Sequence, residues 1–252
     1  MSNLSIYIFN HRTELIVVLL ARILLKKCVH LAVTDELKYF LEKHHNINYV
    51  LTVCDFPTRR NTALQHEEVW TLRNKYFGKG YEDKLLIVTS TSYTKDEPLQ
   101  YLVQALETLS QEQKDIQIVC IVTGKGILKA DFKEMFNKSL RLRYELHQIW
   151  VEKPIDYIEL LSCCDLGMSF HCSTSGLDFP MKIVDMISAG IPTCSIEYEA
   201  MQRAEKDLHI KLFKNSDELS KIILDAKIQN SKLPYTGLYW EDASSIIKTF
   251  LA

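Results

Sequence analysis

The chain has 252 residues, which at roughly 150 residues per domain is one large domain or one domain with appended pieces. Its 47% hydrophobic and 25% charged residues, with only 8 Gly and 6 Pro, are typical of globular proteins and exclude disordered, collagen-like and low-complexity chains. Thirty Lys and Arg against 32 Asp and Glu leave a formal net charge of -2, so no overall positive charge favours binding to nucleic acid.

The one stretch apolar enough to suggest a membrane segment lies near the N-terminus, from Leu15 to Leu25. It is interrupted by Arg22 and preceded by Arg12 and Glu14, and it falls short of the roughly 20 apolar residues that span a bilayer. It also lacks the small-residue cleavage site of a secretory signal. We therefore predict an amphipathic or buried helix here and no transmembrane helix.

Seven short apolar runs predict β-strands along the rest of the chain. They are Val29–Val33, Tyr49–Val53, Leu85–Thr89, Ile116–Thr123, Gln148–Val151, Leu166–Phe170 and Thr193–Ile196. Most of these runs are continuously apolar rather than alternating, which is typical of strands buried on both faces of a parallel sheet.

Helical patterns lie between the predicted strands. An apolar stripe runs from Leu99 to Leu109 behind Pro98, a residue suited to a first helical turn. A second stripe, from Leu219 to Ala226, is opened by Asn215 as N-cap with Glu218 three residues further on. The other predicted helices are Asp35–His44, Leu128–Tyr144 and one that begins near Pro180.

This alternation of strands and helices predicts an α/β fold with a doubly wound, Rossmann-like parallel sheet. Because ligands of such sheets bind beyond the carboxyl ends of the strands, the candidate site loops follow Thr89, Thr123, Val151 and Phe170. The first 84 residues are less regular, and we place a subdomain boundary between residues 57 and 83.

Several kinds of site have no support in the sequence. The seven cysteines are an odd number and contain no C-x-x-C pair, so we predict neither a zinc site nor a disulfide framework, and we expect a reducing compartment. No D-x-D pair, H-E-x-x-H motif or G-x-S-x-G elbow occurs. The residues therefore predict neither a bound metal nor a serine-hydrolase site.

A short glycine-containing loop, Gly124-Lys125-Gly126, follows one predicted strand and precedes the helix that begins near Leu128. Two glycines let the backbone approach an anion, while the helix N-terminus and Lys125 supply positive charge. The loop lacks the third glycine of a dinucleotide fingerprint and the spacing of a P-loop. A phosphate cradle and an ordinary tight turn both remain open.

The polar loop from Ser173 to Gly176 follows another predicted strand and leads into the helix near Pro180. Asp178 lies at the start of that helix, with Lys182 and Asp185 following one turn apart. A surface salt bridge between the last two would contribute little to stability. The alternative is that Lys182 binds a phosphate and Asp185 accepts hydrogen bonds from a ribose diol.

Five polar residues follow the strand that ends at Thr89. They are Ser90, Ser92, Thr94, Asp96 and Glu97. Helix capping would explain Thr94 or Asp96 but does not need so many hydroxyl groups, so a ligand-binding role is equally open.

The predicted helix Leu128–Tyr144 has a basic composition. Its charged residues are Lys129, Lys133, Lys138, Arg141 and Arg143, against Asp131 and Glu134. This pattern is usually a solvated helix face, and association with anionic lipid headgroups is the alternative.

Several segments resemble the C-terminal half of a known family. The stretches TSTSYTKDEPLQYLVQALE, CIVTGKG and above all SCCDLGMSFHCSTSGLDFPMKIVDM are similar to the chitobiosyldiphosphodolichol beta-mannosyltransferases, and CVHLAVTDELKYFL and VLTVCDFP fit the region where that family passes between its domains. The resemblance covers about residues 28 to 251.

The resemblance implies a GT-B glycosyltransferase, in which the C-terminal Rossmann-like domain holds the sugar nucleotide and the N-terminal one the acceptor. The family transfers mannose from GDP-mannose, with inversion, to dolichol-diphosphate-linked chitobiose at the cytosolic face of the endoplasmic reticulum membrane. No cofactor is predicted, since GDP-mannose would be the donor substrate, and the sequence motifs predict no metal. The implied partners are the donor, the dolichol-linked acceptor and other mannosyltransferases of the pathway, but not nucleic acid.

The resemblance also implies roles for particular residues. Asp185, seven residues before Pro192, matches the carboxylate with which related enzymes grip the ribose, and Asp178 stands one residue closer to it than the first carboxylate of their E-x7-E pattern. Trp150 is a candidate wall of the base pocket, with core packing as the alternative. The full set of predicted donor-binding residues is Ser90, Ser92, Thr94, Gly124, Lys125, Gly126, Trp150, Ser175, Gly176, Leu177, Asp178, Lys182 and Asp185.

Relative to this family, the chain is expected to be the C-terminal half with a truncated N-terminal region. Residues 1–57 would be a remnant of the N-terminal and interdomain region, and residues 83–252 the Rossmann-like nucleotide-sugar-binding domain. No residue is assigned as the general base. Two functions stay open: a mannosyltransferase, expected to be slow when isolated, and a non-catalytic GDP-sugar-binding or assembly protein derived from it.

Overall fold

The computed structural model describes residues 5–8, 28–48, 50–53, 64–113, 115–173 and 175–229. The apolar run from Leu15 to Leu25 and residue Pro57, at the predicted subdomain boundary, lie outside the described residues. The predicted strand at Tyr49–Val53 is described from Val50 onward.

The N-terminal part contains a small parallel sheet. Its strands are β1 (Ser5–Ile8), β2 (Cys28–Ala32) and β3 (Val50–Thr52), in the order β1-β2-β3. Helix α1 (Asp35–His45) follows β2, with the Thr34 hydroxyl as its N-cap. A small core of buried residues packs the helix on the sheet: Ala32, Leu41, Ile47 and Val50. Strands β2 and β3 and helix α1 confirm the sequence prediction, whereas β1 is a strand that it missed.

The larger part of the described chain is built around a six-stranded parallel sheet. The strands are β4 (Leu85–Ser90), β5 (Ile118–Thr123), β6 (Glu145–Ile149), β7 (Leu166–Ser169), β8 (Thr193–Ile196) and β9 (Lys211–Phe213). Their spatial order is β6-β5-β4-β7-β8-β9, with every neighbouring pair parallel. The chain first moves outward from β4 to β6 and then crosses back to the other side of β4. The predicted doubly wound, Rossmann-like sheet is confirmed.

Helices cover both faces of this sheet. In chain order they are α2 (His66–Phe77), α3 (Gln100–Glu112), α4 (Lys129–Leu140), α5 (Pro154–Ser162), α6 (Met181–Ser188), α7 (Glu199–Leu208) and α8 (Ser216–Gln229). One face packs against α3, α4 and α8 and the other against α2, α5 and α6. Alternate residues of β4 serve the two faces, since Leu85 and Ile87 belong to the first core and Leu86 and Val88 to the second.

Local signals explain where several helices begin. The Asn215 side chain accepts a hydrogen bond from the Glu218 backbone N–H at 2.9 Å, as the predicted cap of α8 requires. Helix α6 begins directly after Pro180, which stands at its N-cap. Neither Thr94 nor Asp96 caps α3, because that helix begins at Gln100 behind Leu99.

The edge strand β6 differs from the prediction. It spans Glu145–Ile149, so it begins three residues before the predicted strand Gln148–Val151 and ends two residues before it. The predicted run is more apolar, but the backbone pairs with β5 from Glu145 onward. The side chains of β6 are only partly buried, and its polar residues bond to neighbouring elements, as Gln148 does to the Tyr93 hydroxyl at 3.0 Å. Hydrophobicity alone therefore misplaces this strand.

Helix α2 belongs structurally to the larger sheet although it precedes the predicted domain start at residue 83. Its buried Arg73 donates to the Cys163 carbonyl at 2.9 Å, to the Glu82 carbonyl at 3.0 Å and to the Asp165 carboxylate at 2.6 Å. The Asp165 carboxylate also accepts from the Leu86 N–H at 2.7 Å. These hydrogen bonds hold α2 next to β4. The boundaries 1–57 and 83–252 stay predictions.

None of the helices that the structure describes is both long and apolar enough to cross a bilayer. The described cysteine side chains are free thiols, and those of Cys120, Cys163, Cys164 and Cys194 are buried. Burial raises the pKa of the Cys120 thiol above its ordinary value, so this side chain behaves as a neutral, apolar core residue.

Candidate functional site

The strand order reverses beside β4, where β5 lies on one side and β7 on the other. Because all the strands are parallel, the loops that follow them leave from one edge of the sheet. Such a switch point is the usual ligand-binding position of a doubly wound sheet. The loops after β4, β5 and β7 contain most of the residues that the sequence singled out.

Ser90, the last residue of β4, is held by its neighbours. Its hydroxyl accepts a hydrogen bond from the Thr123 hydroxyl at 2.9 Å and lies 2.6 Å from the Tyr157 hydroxyl. Burial raises the pKa of Tyr157 to about 12, so the phenol keeps its proton at neutral pH. Ser90 therefore joins β4, β5 and α5 at the floor of the site.

Glu97 organises the loop after β4. Its carboxylate accepts from the Thr91 hydroxyl at 2.6 Å and from the Ser92 N–H at 2.7 Å, and it forms an ion pair with Lys182 of α6. The Glu97 side chain is only 4% exposed and that of Lys182 is 19% exposed. Lys182 thus pairs with Glu97. The alternative of a surface salt bridge between Lys182 and Asp185 is wrong.

The sequence prediction placed Lys182 at a ligand phosphate and gave Glu97 no specific partner. Their pairing joins residues 85 positions apart, which local sequence patterns do not reveal. Two predicted hydroxyl groups of the same loop stay available: Ser92 is exposed, Thr94 is half-buried, and neither hydroxyl has a hydrogen-bond partner among the described residues.

The glycines of the loop after β5 allow two loops to pack together. A Cβ atom on Gly124 would lie 1.8 Å from the Thr91 carbonyl oxygen, and one on Gly126 would lie 1.8 Å from the Ser92 carbonyl oxygen. Gly124 also has a φ of +138°, which side chains disfavour. Close packing of the two loops therefore explains both glycines. That this loop binds a phosphate stays a prediction.

Replacing Gly126 by alanine is expected to lower the free energy of unfolding by about 1–3 kcal/mol, because the added methyl group overpacks the contact with Ser92. The control is Gly80→Ala, whose Cβ meets nothing within 4 Å and whose cost is backbone strain alone. Urea unfolding measures both variants. A Gly126→Ala protein as stable as wild type would contradict close packing of the two loops.

Lys125 and Trp150 form a pair at the outer side of the site. The Lys125 ammonium lies 4.1 Å from the centre of the Trp150 ring, a cation–π geometry. Trp150 is 49% exposed, so the core-packing alternative for this residue is wrong. Its role as a wall of a base pocket stays a prediction, and its exposed ring face is available to a ligand.

Asp178 is the centre of the loop after β7. Its carboxylate accepts from the Ser173 hydroxyl and lies 2.9 Å from His171 Nε2, which must donate because the carboxylate is ionised. The Ser173 and Ser175 hydroxyls in turn accept from the N–H groups of Gly176 at 2.8 Å and of the next residue at 3.2 Å. Asp178 therefore shapes the loop rather than pointing an unused carboxylate at a ligand.

These contacts change the acidity of Asp178. The hydrogen bond from His171 lowers its pKa from 3.8 to about 2, against the opposing effect of burial. A carboxyl group whose folded pKa lies below its unfolded value stabilises the protein at higher pH, and this contribution is lost as pH falls through the folded pKa.

Asp178→Asn should therefore destabilise the protein most at neutral pH. The difference in free energy of unfolding between wild type and variant is expected to be constant above about pH 5 and to shrink as pH falls from about 4 toward 2. Urea titrations at pH 3 and pH 6 measure it. A difference that does not change between the two pH values would show that the carboxylate charge is unimportant in this loop.

The N-terminal part touches this loop. The Thr34 hydroxyl, which caps α1, donates a hydrogen bond to the Leu177 carbonyl. Thr34 is buried, and it follows the carboxyl end of β2 as the site loops follow theirs. The two parallel sheets are therefore connected at the predicted donor-binding loop, a contact that no sequence motif indicated.

Of the two carboxylates predicted for the site, Asp185 is the one whose side chain has no protein partner among the described residues. It lies on α6, is half-buried, and burial raises its pKa. Among the residues that the structure describes, its carboxylate has no hydrogen-bond or ion-pair partner. A carboxylate withdrawn from water without partners is unfavourable, so hydroxyl groups of a ligand would find strong acceptors here.

The structure thus brings the predicted residues to one edge of the sheet, on the loops after β4, β5, β6 and β7 and on α6. The side chains of Ser90, Lys182 and Asp178 are engaged in protein contacts. Those of Ser92, Thr94, Lys125 and Asp185 have no hydrogen-bond or ion-pair partner among the described residues. Within the described chain, no group of three or more His, Cys, Asp or Glu side chains is arranged to hold a metal ion.

No protein-family model matches the chain. Individual relatives do. The chain is 32% identical to the chitobiosyldiphosphodolichol beta-mannosyltransferase of Candida albicans over 192 residues, covering 75% of this chain and 42% of that protein. It is 38% identical to the enzyme of the same name from Eremothecium gossypii over 193 residues, covering 71% and 41%.

The chain belongs, by sequence, to the chitobiosyldiphosphodolichol beta-mannosyltransferase family. The resemblance inferred from its motifs is confirmed, and it extends to the human family member, at 35% identity over 144 residues. The chain spans less than half the length of the family members it matches in Candida albicans and Dictyostelium discoideum, 42% and 48%.

Solved structures confirm the GT-B glycosyltransferase fold of this family member. The chain superposes on Anabaena HepE, solved in complex with UDP and glucose, with a TM-score of 0.67 and 14% identity, covering 97% of this chain and 66% of HepE. It superposes on a glycosyltransferase from Rickettsia africae with a TM-score of 0.67 and 14% identity, covering 98% and 66%. At these identities the likeness concerns the fold.

Proposed function

We propose that this chain acts in the first mannosyl transfer of lipid-linked oligosaccharide assembly. In that reaction mannose passes from GDP-mannose, with inversion, to dolichol-diphosphate-linked chitobiose at the cytosolic face of the endoplasmic reticulum membrane. The observation that carries this proposal is the family membership, at 32% to 38% identity over more than 70% of the chain. Other mannosyltransferases of the pathway are the proposed protein partners.

The donor is proposed to bind at the switch point, with its ribose on Asp185. This carboxylate is half-buried and without a partner among the described residues, and two ribose hydroxyls would each donate to it. HepE, which shares the fold, was solved with a bound nucleotide, UDP. The HepE complex supports the proposal because it shows a nucleotide bound to a protein of the same fold.

The donor diphosphate is proposed to lie between the loop Gly124–Gly126 and the turn Ser175–Gly176. Both loops leave parallel strands at one edge of the sheet, on either side of the loop after β4. Lys125 has no carboxylate partner among the described residues and would neutralise charge that develops on the departing GDP. The Trp150 ring would cover the guanine or the adjoining ribose face.

Inversion at the sugar carbon requires a base that takes the proton of the acceptor hydroxyl. Asp178 does not suit that role, because its hydrogen bonds hold its pKa at about 2 and occupy both carboxylate oxygens. His171 donates to Asp178 through Nε2, which leaves only Nδ1 able to accept. Neither Asp178 nor His171 is therefore proposed as this base.

A transfer assay tests the proposal. The full chain is incubated with radiolabelled GDP-mannose and a phytanyl-diphosphate chitobiose acceptor, with Asp185→Ala as the matched control. We expect mannosylated lipid that is lost in the control. Binding of GDP-mannose without any product would contradict the enzymatic proposal and favour a GDP-sugar-binding protein.

A further inference from the structure

A groove that the donor site does not use lies along the edge strand β6. Its volume is about 600 Å³, within the usual range of ligand pockets. Helix α4 forms one wall and residues Glu145–Gln148 of β6 the other, and Leu146 contributes apolar surface. The groove is thus an elongated cleft with one helical and one strand wall.

The helical wall is basic. Lys129, Lys133, Asn137 and Arg141 line it at intervals of four residues, so they lie on one side of α4. Among the described residues, none of the cations Lys129, Lys133 and Arg141 has an ion-pair partner. Twelve residues separate the first from the last, about 18 Å along a helix at 1.5 Å per residue. A stripe of positive charge therefore runs the length of the groove.

The groove contains little negative charge to balance this stripe. Of the described residues that line it, Glu145 alone is acidic. Its carboxylate pairs with Lys84 and accepts from the Tyr81 hydroxyl at 2.8 Å. Since Glu145 is already neutralised by Lys84, the groove as a whole attracts anions.

The other wall is an open strand edge. β6 stands at the end of the six-stranded sheet and pairs only with β5 among the described strands. Five residues extend about 17 Å at roughly 3.3 Å each, which matches the length of the basic stripe. The outward backbone N–H and C=O groups of such a strand are a template for an added strand.

We propose that this groove binds an extended acidic peptide segment of a partner protein, which adds to β6 as a seventh strand and pairs its carboxylates with Lys129, Lys133 and Arg141. The basic stripe and the strand edge have about the same length, which suits an extended chain. A single phosphate group would engage only one end of the stripe. A flat bilayer surface would not reach the strand edge inside the cleft.

Peptide binding to the full chain tests this proposal. The probe is a fluorescent hexapeptide of alternating Glu and Val, measured by anisotropy. The controls are a Lys-Val peptide of the same length, and the Glu-Val peptide N-methylated at alternate residues, which keeps its charge but loses strand hydrogen bonds. We expect the acidic peptide to bind and both controls to bind at least about tenfold more weakly.

The paired variant is Lys133→Glu with Arg141→Glu, and the matched control is Lys221→Glu on the exposed face of α8. We expect the first to lose at least about tenfold in peptide affinity and the second to lose none, while both retain GDP binding. Equal binding of the N-methylated peptide would overturn strand addition. Binding of phosphatidylserine vesicles or of inorganic phosphate in place of the peptide would overturn the choice of partner.

Discussion

Asp185→Ala is expected to weaken the binding of GDP and GDP-mannose together, by roughly 10- to 150-fold, because hydrogen bonds to a charged group contribute about 1.5 to 3 kcal/mol. Both ligands carry the ribose, so the loss should be the same for each. The carboxylate is half-buried and partner-free among the described residues, which makes a ligand its natural hydrogen-bonding partner. Calorimetry on the folded variant measures the effect.

Two further variants sharpen this result. Asp185→Asn keeps one acceptor oxygen and should fall between wild type and the alanine variant. Asp225→Ala, at an exposed ion pair with Lys211 on the surface, should leave affinity unchanged. An alanine variant at position 185 that binds GDP as wild type does would remove this residue from the site.

Lys182→Met is expected to destabilise the fold by about 3–5 kcal/mol, because it leaves Glu97 buried without its cation. Glu97 would retain its hydrogen bonds from Thr91 and Ser92, but these do not balance a full charge. The loop after β4 should loosen first, since Glu97 anchors it. Urea unfolding measures the loss.

The double variant Lys182→Met with Glu97→Gln separates the two roles considered for Lys182. With no charge left, most of the stability should return. If Lys182 also reaches the donor diphosphate, GDP affinity should stay reduced in the stable double variant. A single variant as stable as wild type would contradict the buried ion pair.

Much of the fold was predictable because it depends on local composition. Strands β4 and β5 are continuously buried, so hydrophobicity alone indicates them. The edge strand β6 was misplaced because it contains polar residues and is only partly buried, and the three-residue β9 is too short to give a clear signal. Helix α2 was not predicted, because one of its two buried residues is the charged Arg73, which an apolar pattern does not show.

The candidate site was predictable as a set of loops but not as a set of contacts. Strand order places the loops after β4, β5 and β7 together, whereas the ribose role of Asp185 is implied by the family resemblance and stays a prediction. The pairing of Lys182 with Glu97 and the hydrogen bond of Thr34 to Leu177 join residues 85 and 143 positions apart. Such pairs depend on the tertiary fold, which residue spacing does not specify.

A crystal structure of the chain with GDP tests the central claim most directly. We expect nucleotide density between the loops after β4, β5 and β7, with both ribose hydroxyls on the Asp185 carboxylate and the diphosphate beside Lys125. GDP bound instead in the basic groove between α4 and β6, or Asp185 without a ligand contact at saturating GDP, would contradict it.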